Sequence, residues 1–352
     1  MMDKNSFSSD DEKFMRLALE QAQLGSFTTR PNPAVGCVIV KNGLIIGKGF
    51  HPKAGLPHAE VYALQDAKNH GFDVAGASAY VTLEPCSHYG RTPPCAKALV
   101  ESGVKQVVVA TLDPNPQVSG RGVAMLQEAG IEVRVGVCEQ EAKAINAGFL
   151  KAMATGLPSV RVKIAASLDG RTAMADGESK WITGSAARQD VQKLRAKSGA
   201  IITGSGTIIA DNPALNVRLP SLDLDNITQP KIVVVDRSAR LQHTDNYQVF
   251  KKTDTLIWRE NLPELLKTLV SEYQCYDVLV EAGSTLSTTF LQLGLVDELI
   301  VYQAPCLLGD SARAMFAGKF DKLNQKLNFT LMKTEQIGED LKMTFAPKPQ
   351  ST

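Results

Sequence analysis

Apolar and polar positions along this chain switch between two periods, and the switches mark out its elements. Ser9 with Glu12 three positions on has the form of a capping box. Phe14, Leu17, Ala18, Gln21 and Leu24 then follow up to Gly25, which predicts a first helix over 10–24. After TTRPNP, the run VGCVIVKNGLIIGKGF is two β-branched apolar segments joined at Lys41-Asn42-Gly43, and Asn-Gly between such segments signals a hairpin. His58 to Asn69 has helical spacing, SAYVTL reads as a strand, Cys95 to Ser102 as a short helix and VKQVVVATL as a strand. Gly120 to Ala129 gives a further helix, IEVRVGV a strand, and Gln140 to Met153 one helix ending at Thr155-Gly156-Leu157-Pro158. Gly156 and Pro158 mark a domain boundary there.

Beyond that boundary VRVKIAASLDG begins a second set of strands, continued by AIITGSG, KIVVVD, TLIW, YDVLVEAG and DELIVYQAP. Helices are predicted at Ser185 to Lys197, Leu262 to Glu272 and Ser284 to Leu293. Strands alternating with helices on both sides of the boundary mean an α/β layer sheet in each half. No internal repeat or low-complexity segment is evident, so the halves read as two different folds fused.

Length supports that division, because 352 residues exceed what one core ordinarily fills. Lys plus Arg number 38 against 37 Asp plus Glu, so no basic excess favours nucleic acid. The start, MMDKNSFSSDDEKF, lacks a basic region followed by an apolar one, and no apolar run approaches the roughly 18 residues that span a bilayer. The expectation is therefore a cytoplasmic chain with no membrane partner, whose thiols stay reduced. Its six cysteines then favour metal, catalysis or core filling over disulfides. Cys37, Cys138, Cys275 and Cys306 lie in apolar surroundings and are expected to act as small buried residues.

The remaining two cysteines carry chemistry. PHAEVYAL places His58 and Glu60 two apart at the start of a helix, and Cys86 and Cys95 follow at the next strand-to-helix junction. Zinc deaminases use H-x-E followed by P-C-x-x-C, with His and both Cys on zinc and Glu moving protons without touching the metal. Pro85-Cys86 matches, but eight residues, SHYGRTPP, replace two before Cys95. The pattern survives if those residues bulge outward while both thiols keep their ligand positions. Cys95 opens a helix, where free amides and the helix dipole are expected to favour its thiolate. One imidazole and two thiolates leave a fourth position open, the mark of a catalytic zinc site, and Glu60 is then the proton shuttle. The competing possibilities are a structural zinc site with a fourth protein ligand, and a surface role for Glu60.

At these residues the chain resembles a known family. HAE, LEPCSHYGRTPPC and DPNP at Asp113 to Pro116 are similar to the deaminase domain of the bifunctional riboflavin-biosynthesis deaminase/reductases. KIAASLDGRTA, SKWITG, ADNPALNVR and VEAGSTL resemble their reductase domain, so the likeness covers nearly the whole chain. It implies an α/β fold class in which an N-terminal zinc-dependent cytidine-deaminase-like α/β/α layer domain, over 1–154, is fused to a C-terminal dihydrofolate-reductase-like α/β domain, over 155–352. It also implies one Zn²⁺ and NADPH, small phosphoribosylaminopyrimidine substrates, and a homodimer. The implied reactions are hydrolytic deamination of 2,5-diamino-6-(ribosylamino)-4(3H)-pyrimidinone 5′-phosphate, then reduction of 5-amino-6-(5-phosphoribosylamino)uracil to the ribitylamino product. A base deaminase acting on nucleic acid or nucleosides, with an accessory second domain, is the alternative from a different class.

By the same resemblance Asn32 is similar to a base-reading asparagine, although Asn-Pro alone also signals a turn. His51, His88 and Arg91 are implied on the ribose phosphate. In the second half Gly204-Ser205-Gly206 is followed by TII and lacks the third glycine of the dinucleotide fingerprint. Gly283, Ser284 and Thr285 instead open a helix whose free amides suit a pyrophosphate. The cofactor run implied is Gly283, Ser284, Thr285, Leu286, Ser287, Thr288 and Thr289, joined by Ala165, Trp181, Thr207, Asp211 and Arg237. Ser179, Arg195, Leu215, Arg218 and Glu281 are implied on the substrate, with Arg195 and Arg218 the phosphate candidates. Composition alone would put Trp181 in a core and leave Arg195 solvated.

Overall fold

The computed structural model describes residues 7–87, 93–115, 118–222, 224–243, 245–252 and 254–349. The chain divides into two compact units, Met1–Thr155 and Gly156–Thr352.

In the first unit helix α1 (Ser9–Leu24) precedes the hairpin of β1 (Gly36–Lys41) and β2 (Leu44–Phe50). Asn42 and Gly43 join the two strands with φ of 52° and 76°, the doubly left-handed turn that suits the twist of a two-residue hairpin. Then come α2 (Ala59–Asn69), β3 (Ser78–Val81), α3 (Cys95–Glu101), β4 (Gln106–Val109), α4 (Arg121–Glu128), β5 (Glu132–Val135), α5 (Glu139–Ile145) and α6 (Ala147–Thr155). The sheet order is β2-β1-β3-β4-β5, antiparallel through β1 and β3 and parallel from β3 to β5. Period-two alternation divides the core: Cys37, Ile39, Val107 and Val109 face α2, α3 and α4 through Ala63, Leu99 and Leu126. Val38, Val40 and Val108 face α1 and α5 through Phe14, Met15 and Ala142. The outcome is the expected α/β/α layering.

Two local expectations are corrected. The capping box of α1 is Ser8 with Asp11, not Ser9 with Glu12: Ser8 Oγ accepts from the Asp11 amide at 3.1 Å and Asp11 Oδ2 from the Ser8 amide at 3.0 Å. Tyr80 and Arg134 also donate to Asp11, so tertiary partners select the register. The single helix expected over 140–153 is two, because the side chain of Asn146 pairs with the backbone of Ala34. Cys37 and Cys275 are buried as expected, whereas Cys138 and Cys306 are only half-buried.

In the second unit an eight-stranded sheet runs β10-β9-β8-β11-β6-β12-β15-β14. Its strands are β6 (Ser159–Ser167), β8 (Ala200–Gly204), β9 (Lys231–Val235), β10 (Leu256–Trp258), β11 (Asp277–Val280), β12 (Glu298–Ala304), β14 (Phe329–Ile337) and β15 (Asp340–Pro347). A short pair, β7 (Arg171–Ala173) and β13 (Arg313–Ala314), stands apart. Strands from β10 to β12 pair in parallel, and the β14–β15 hairpin adds antiparallel strands at one edge. Helices α7 (Ser185–Lys197), α10 (Leu262–Ser271) and α11 (Ser284–Gln292) fall where the pattern puts them. α8 (Ser205–Asp211) replaces the end of an expected strand: β8 stops at Gly204, and the apolar residues after it coil against Ile201 and Leu241. α9 (Gln248–Lys252), β14 and β15 were not foreseen. Among the described residues no helix is long and apolar enough to cross a membrane.

Candidate active sites

In the first unit the chemistry gathers where β3 ends and α2 and α3 begin. His58 is the N-cap of α2, Glu60 lies in that helix's first turn, and Cys95 is the first residue of α3. A close approach makes this possible: a Cβ on Gly49 of β2 would overlap the carbonyl of Ala59, so only glycine lets the start of α2 lie on the strand. Cys86 is reached from β3 through the turn ending in Glu84-Pro85. Its carbonyl accepts from the Ala96 amide at 3.2 Å and its sulfur from the Cys95 amide at 3.3 Å.

The three donor atoms lie within 4.8 Å of one another, and His58 Nδ1 stands 3.2 Å from the Cys95 sulfur and 3.7 Å from the Cys86 sulfur. Tetrahedral zinc with ordinary Zn–S and Zn–N bonds separates sulfur from nitrogen by about 3.6 Å, so the set lies within a few tenths of an ångström of what that ion requires on these two pairs. No fourth His, Cys, Asp or Glu joins the group among the described residues. Glu60 is 2% exposed, and its Oε2 has no hydrogen-bond partner among them. Burial, with the Cys86 thiolate second and His58 opposing, pushes its carboxyl up to about 7. The surface role for Glu60 is thereby overturned. The thiolate preference is also corrected: Cys86 is pulled down by the thiol and amide of Cys95 that donate to it and by His58, and Cys95 is pushed up by Cys86, burial and Glu60. The amide at the start of α3 points at Cys86, so the helix end stabilises that sulfur.

Beside this cluster Asn32 Nδ2 lies 3.1 Å from His51 Nε2, and His51 Nδ1 lies 3.0 Å from the Pro57 carbonyl. The carbonyl can only accept, so Nδ1 carries the proton, Nε2 accepts from Asn32, and the Asn32 Oδ1 remains to meet a ligand. His51 is 2% exposed, and burial, with Pro57 opposing, lowers its pKa. Both ring nitrogens are engaged, which leaves His51 a neutral orienter of Asn32. His88 and Arg91 lie outside the described residues.

In the second unit Glu281, just after β11, receives Arg195 of α7 through Nε at 2.6 Å and Nη2 at 2.9 Å, while Arg195 Nη1 reaches the Asn216 carbonyl at 3.3 Å. The Arg195 fork is therefore turned onto protein, and Arg218 is the exposed guanidinium of the pair, 3.1 Å from Asn216 Oδ1. Leu215 holds this segment with φ at 49°, a conformation uncommon for a branched side chain. Ser179 is half-buried. Lys163 of β6, not singled out from the sequence, completes the cluster with Nζ 4.0 Å from Glu281. A lysine inside the apolar strand VRVKIAAS was the available signal.

Gly283 caps α11 with no side-chain hydrogen bond, so the first amides of that helix are open. A Cβ on Gly283 would come 3.9 Å from Thr207 Oγ1, and one on Gly204 would come 3.7 Å from Leu286, so α8 and α11 start side by side around glycines. Ser284, Thr285 and Leu286 form this open turn. Ser287 and Thr288 are buried and Thr289 Oγ1 donates to Thr285 O at 2.9 Å, so these three brace the helix. A helix start lined by small residues fits a pyrophosphate. Arg240, also missed, lies beside it with Nη2 2.8 Å from Ser205 Oγ, whereas Arg237 is exposed. Ala165 is half-buried on β6, two residues from Lys163, and the Asp211 carbonyl accepts from Lys180 at 3.4 Å. Trp181 is no core residue: it is 67% exposed with the Arg188 guanidinium 4.4 Å above its ring.

Residues 8–111 match the cytidine and deoxycytidylate deaminase zinc-binding region, and residues 158–343 match the RibD C-terminal domain. The riboflavin biosynthesis protein RibD of Haemophilus influenzae is 48% identical over 373 aligned positions, covering 97% of this chain and 99% of its own. That of Escherichia coli is 47% identical, with 94% and 98% covered. Among solved structures, RibD of Acinetobacter baumannii in its first form aligns with a TM-score of 0.90 at 54% identity, covering 97% of this chain and 99% of its own. The diaminohydroxyphosphoribosylaminopyrimidine deaminase/5-amino-6-(5-phosphoribosylamino)uracil reductase of Thermotoga maritima aligns with a TM-score of 0.88 at 34% identity, covering 96% and 99%. With both units matched in one chain at these identities, the protein belongs to the RibD family of riboflavin-biosynthesis enzymes.

Proposed function

We propose that the chain hydrolyses the exocyclic amine from 2,5-diamino-6-(ribosylamino)-4(3H)-pyrimidinone 5′-phosphate in its first unit. Its second unit then reduces the ribose of 5-amino-6-(5-phosphoribosylamino)uracil to ribityl with NADPH. The observation that carries the first step is the buried carboxylate of Glu60, with its Oε2 unpaired among the described residues, next to a cluster of three candidate zinc ligands. His58, Cys86 and Cys95 would hold zinc, which would supply Lewis acidity to activate the attacking water. Glu60 takes one proton from the attacking water and passes it to the ring nitrogen, then carries the water's second proton to the amine, which leaves as ammonia. Asn32 offers Oδ1 to the donor edge of the pyrimidine, held by His51. His88 and Arg91 are assigned to the ribose phosphate.

For the second step the start of α11 would hold NADPH, which would supply hydride to C1′ as the C1′–O4′ bond breaks and the freed oxygen takes a proton from water. The chain's share is placement: Glu281 and Lys163 hold the ribose, Arg195 fixes Glu281, and Arg218 takes the phosphate. Ser179 and Leu215 line the substrate side, and Ala165, Trp181, Thr207, Asp211 and Arg237 the cofactor side. The working molecule is a cytoplasmic homodimer acting on small phosphorylated pyrimidines. Incubating the chain with the diaminopyrimidine phosphate and NADPH yields the ribitylamino product if the proposal holds; formation of neither the uracil nor the ribityl product overturns it.

A further inference from the structure

We infer that Glu84 is a positioning residue for the metal centre, tying the start of α4 to Pro85-Cys86 and so setting where the Cys86 sulfur stands. The inference rests on His58, Cys86 and Cys95 being zinc ligands. Glu84 is 4% exposed, and its carboxylate accepts four backbone amides: Gly122 at 3.0 Å and Val123 at 3.3 Å on Oε1, Gly120 at 3.0 Å and Asp113 at 3.3 Å on Oε2. Its own amide donates to the Thr111 carbonyl at 3.0 Å. The N-cap of α4 is Gly120, which has no side chain to satisfy the helix's first amides, so a residue 36 positions earlier does so.

The place from which that cap comes decides the inference. Glu84 is two residues from Cys86, and α4 also packs on the residue between them, since a Cβ on Gly122 would overlap the Pro85 carbonyl. On its other side Cys86 is gripped by the amides of Cys95 and Ala96 at the start of α3. The ligand therefore hangs between two helix starts, and Glu84 is the only side chain among the described residues that bonds the α4 start from the Cys86 segment. Metal–ligand distances tolerate about 0.2 Å, so a small shift of this segment reaches the ion. Glutamine cannot replace the carboxylate, because its amide nitrogen would face two N–H donors where an acceptor is required.

The test is zinc affinity of the full-length chain, measured by competition with a chromophoric chelator. Glu84→Gln is expected to weaken binding about ten- to a hundred-fold, as removal of partners that orient metal ligands does, and Glu84→Asp less. Leu126→Ala, a cavity in the same helix, serves as control: it lowers the melting temperature but keeps zinc affinity close to the unaltered chain. Reduction of the uracil substrate by the second unit stays unchanged in every variant. Should Glu84→Gln not fold, Glu84→Asp replaces it, since it keeps the charge but shortens the reach to the α4 amides; weaker zinc binding is again expected. Unaltered affinity in the variant measured, or an equal loss in Leu126→Ala, overturns the role of Glu84. An unaltered chain that binds no zinc refutes the metal reading itself.

Discussion

Arg195 and Glu281 meet as a two-pronged ion pair whose side chains are 10% and 9% exposed. Burial works against the Glu281 charge, but Arg195, with Lys163 and Arg218 behind it, holds the carboxyl below the usual carboxylate range. Removing one partner of such a pair leaves an uncompensated charge out of water, which costs about 3–5 kcal/mol. Arg195→Met should therefore lower the urea midpoint of the second unit by a corresponding amount. Both tryptophans, Trp181 and Trp258, lie in that unit and report it by fluorescence. A loss under about 1 kcal/mol, the range of exposed pairs, would show that the pair opens in solution.

Glu60→Gln keeps the shape of the side chain and removes its proton transfer. A positioned acid–base group contributes about 10²–10⁴-fold, so the deamination rate should fall by that factor. Reduction of added uracil substrate with NADPH should proceed at the original rate, because the chemistry of that step lies in the other unit. An equal loss of both rates in a folded chain would count against separate sites.

The same carboxyl makes a prediction about pH. In the folded, metal-free chain Glu60 titrates at about 7, against 4.5 as its ordinary value. Its folded pKa is raised, so the folded state keeps a proton that the unfolded chain releases. Stability then falls as pH rises from about 4.5 to 7 and levels off above. At 1.36 kcal/mol per pH unit the loss is about 3 kcal/mol. Glu60→Gln has no such titration. After chelation of zinc, the variant should match the original at pH 4.5 and exceed it by about 3 kcal/mol at pH 8. Amide exchange of β1 and β3 would measure this, and a variant no more stable at pH 8 would contradict it.

What could be read from the chain alone was what depends on near neighbours. His58 with Glu60 in one helical turn, and Pro85-Cys86 at a strand end, are local patterns that zinc chemistry demands, and the Asn42-Gly43 turn is a two-residue event. Interactions across long separations were not legible. Nothing near Asn146 says that it breaks a helix to grip a backbone 112 positions away. Ser8 wins over Ser9 as the cap because Tyr80 and Arg134 seize Asp11. Arg195 looks like a free phosphate ligand until Glu281 is placed opposite it. The β14–β15 hairpin escaped because β14 is largely solvated, so its residues carry little alternation of apolar and polar types.

Asn146 yields the last prediction. Its Oδ1 accepts from the Ala34 amide at 2.8 Å and its Nδ2 donates to the Ala34 carbonyl at 2.9 Å, with both residues buried. Ala34 follows Asn32 by two positions, and the Val35 carbonyl accepts from the His51 amide at 2.9 Å, so this grip helps aim the Asn32 side chain. Asn146→Ala strands two buried backbone groups, at about 1–3 kcal/mol each. Alanine's better helix propensity returns at most about 0.7 kcal/mol, so the net effect is a loss. The first unit should become less stable by about 1–5 kcal/mol. The KM of deamination should rise more than kcat falls, because the grip acts on a residue that meets the pyrimidine and not on Glu60. Asn146→Asp keeps the acceptor for the Ala34 amide but sets a carboxylate against its carbonyl, and should fare no better than alanine. An unchanged KM in a destabilised but folded variant would show that the Asn32 loop is held by its other contacts.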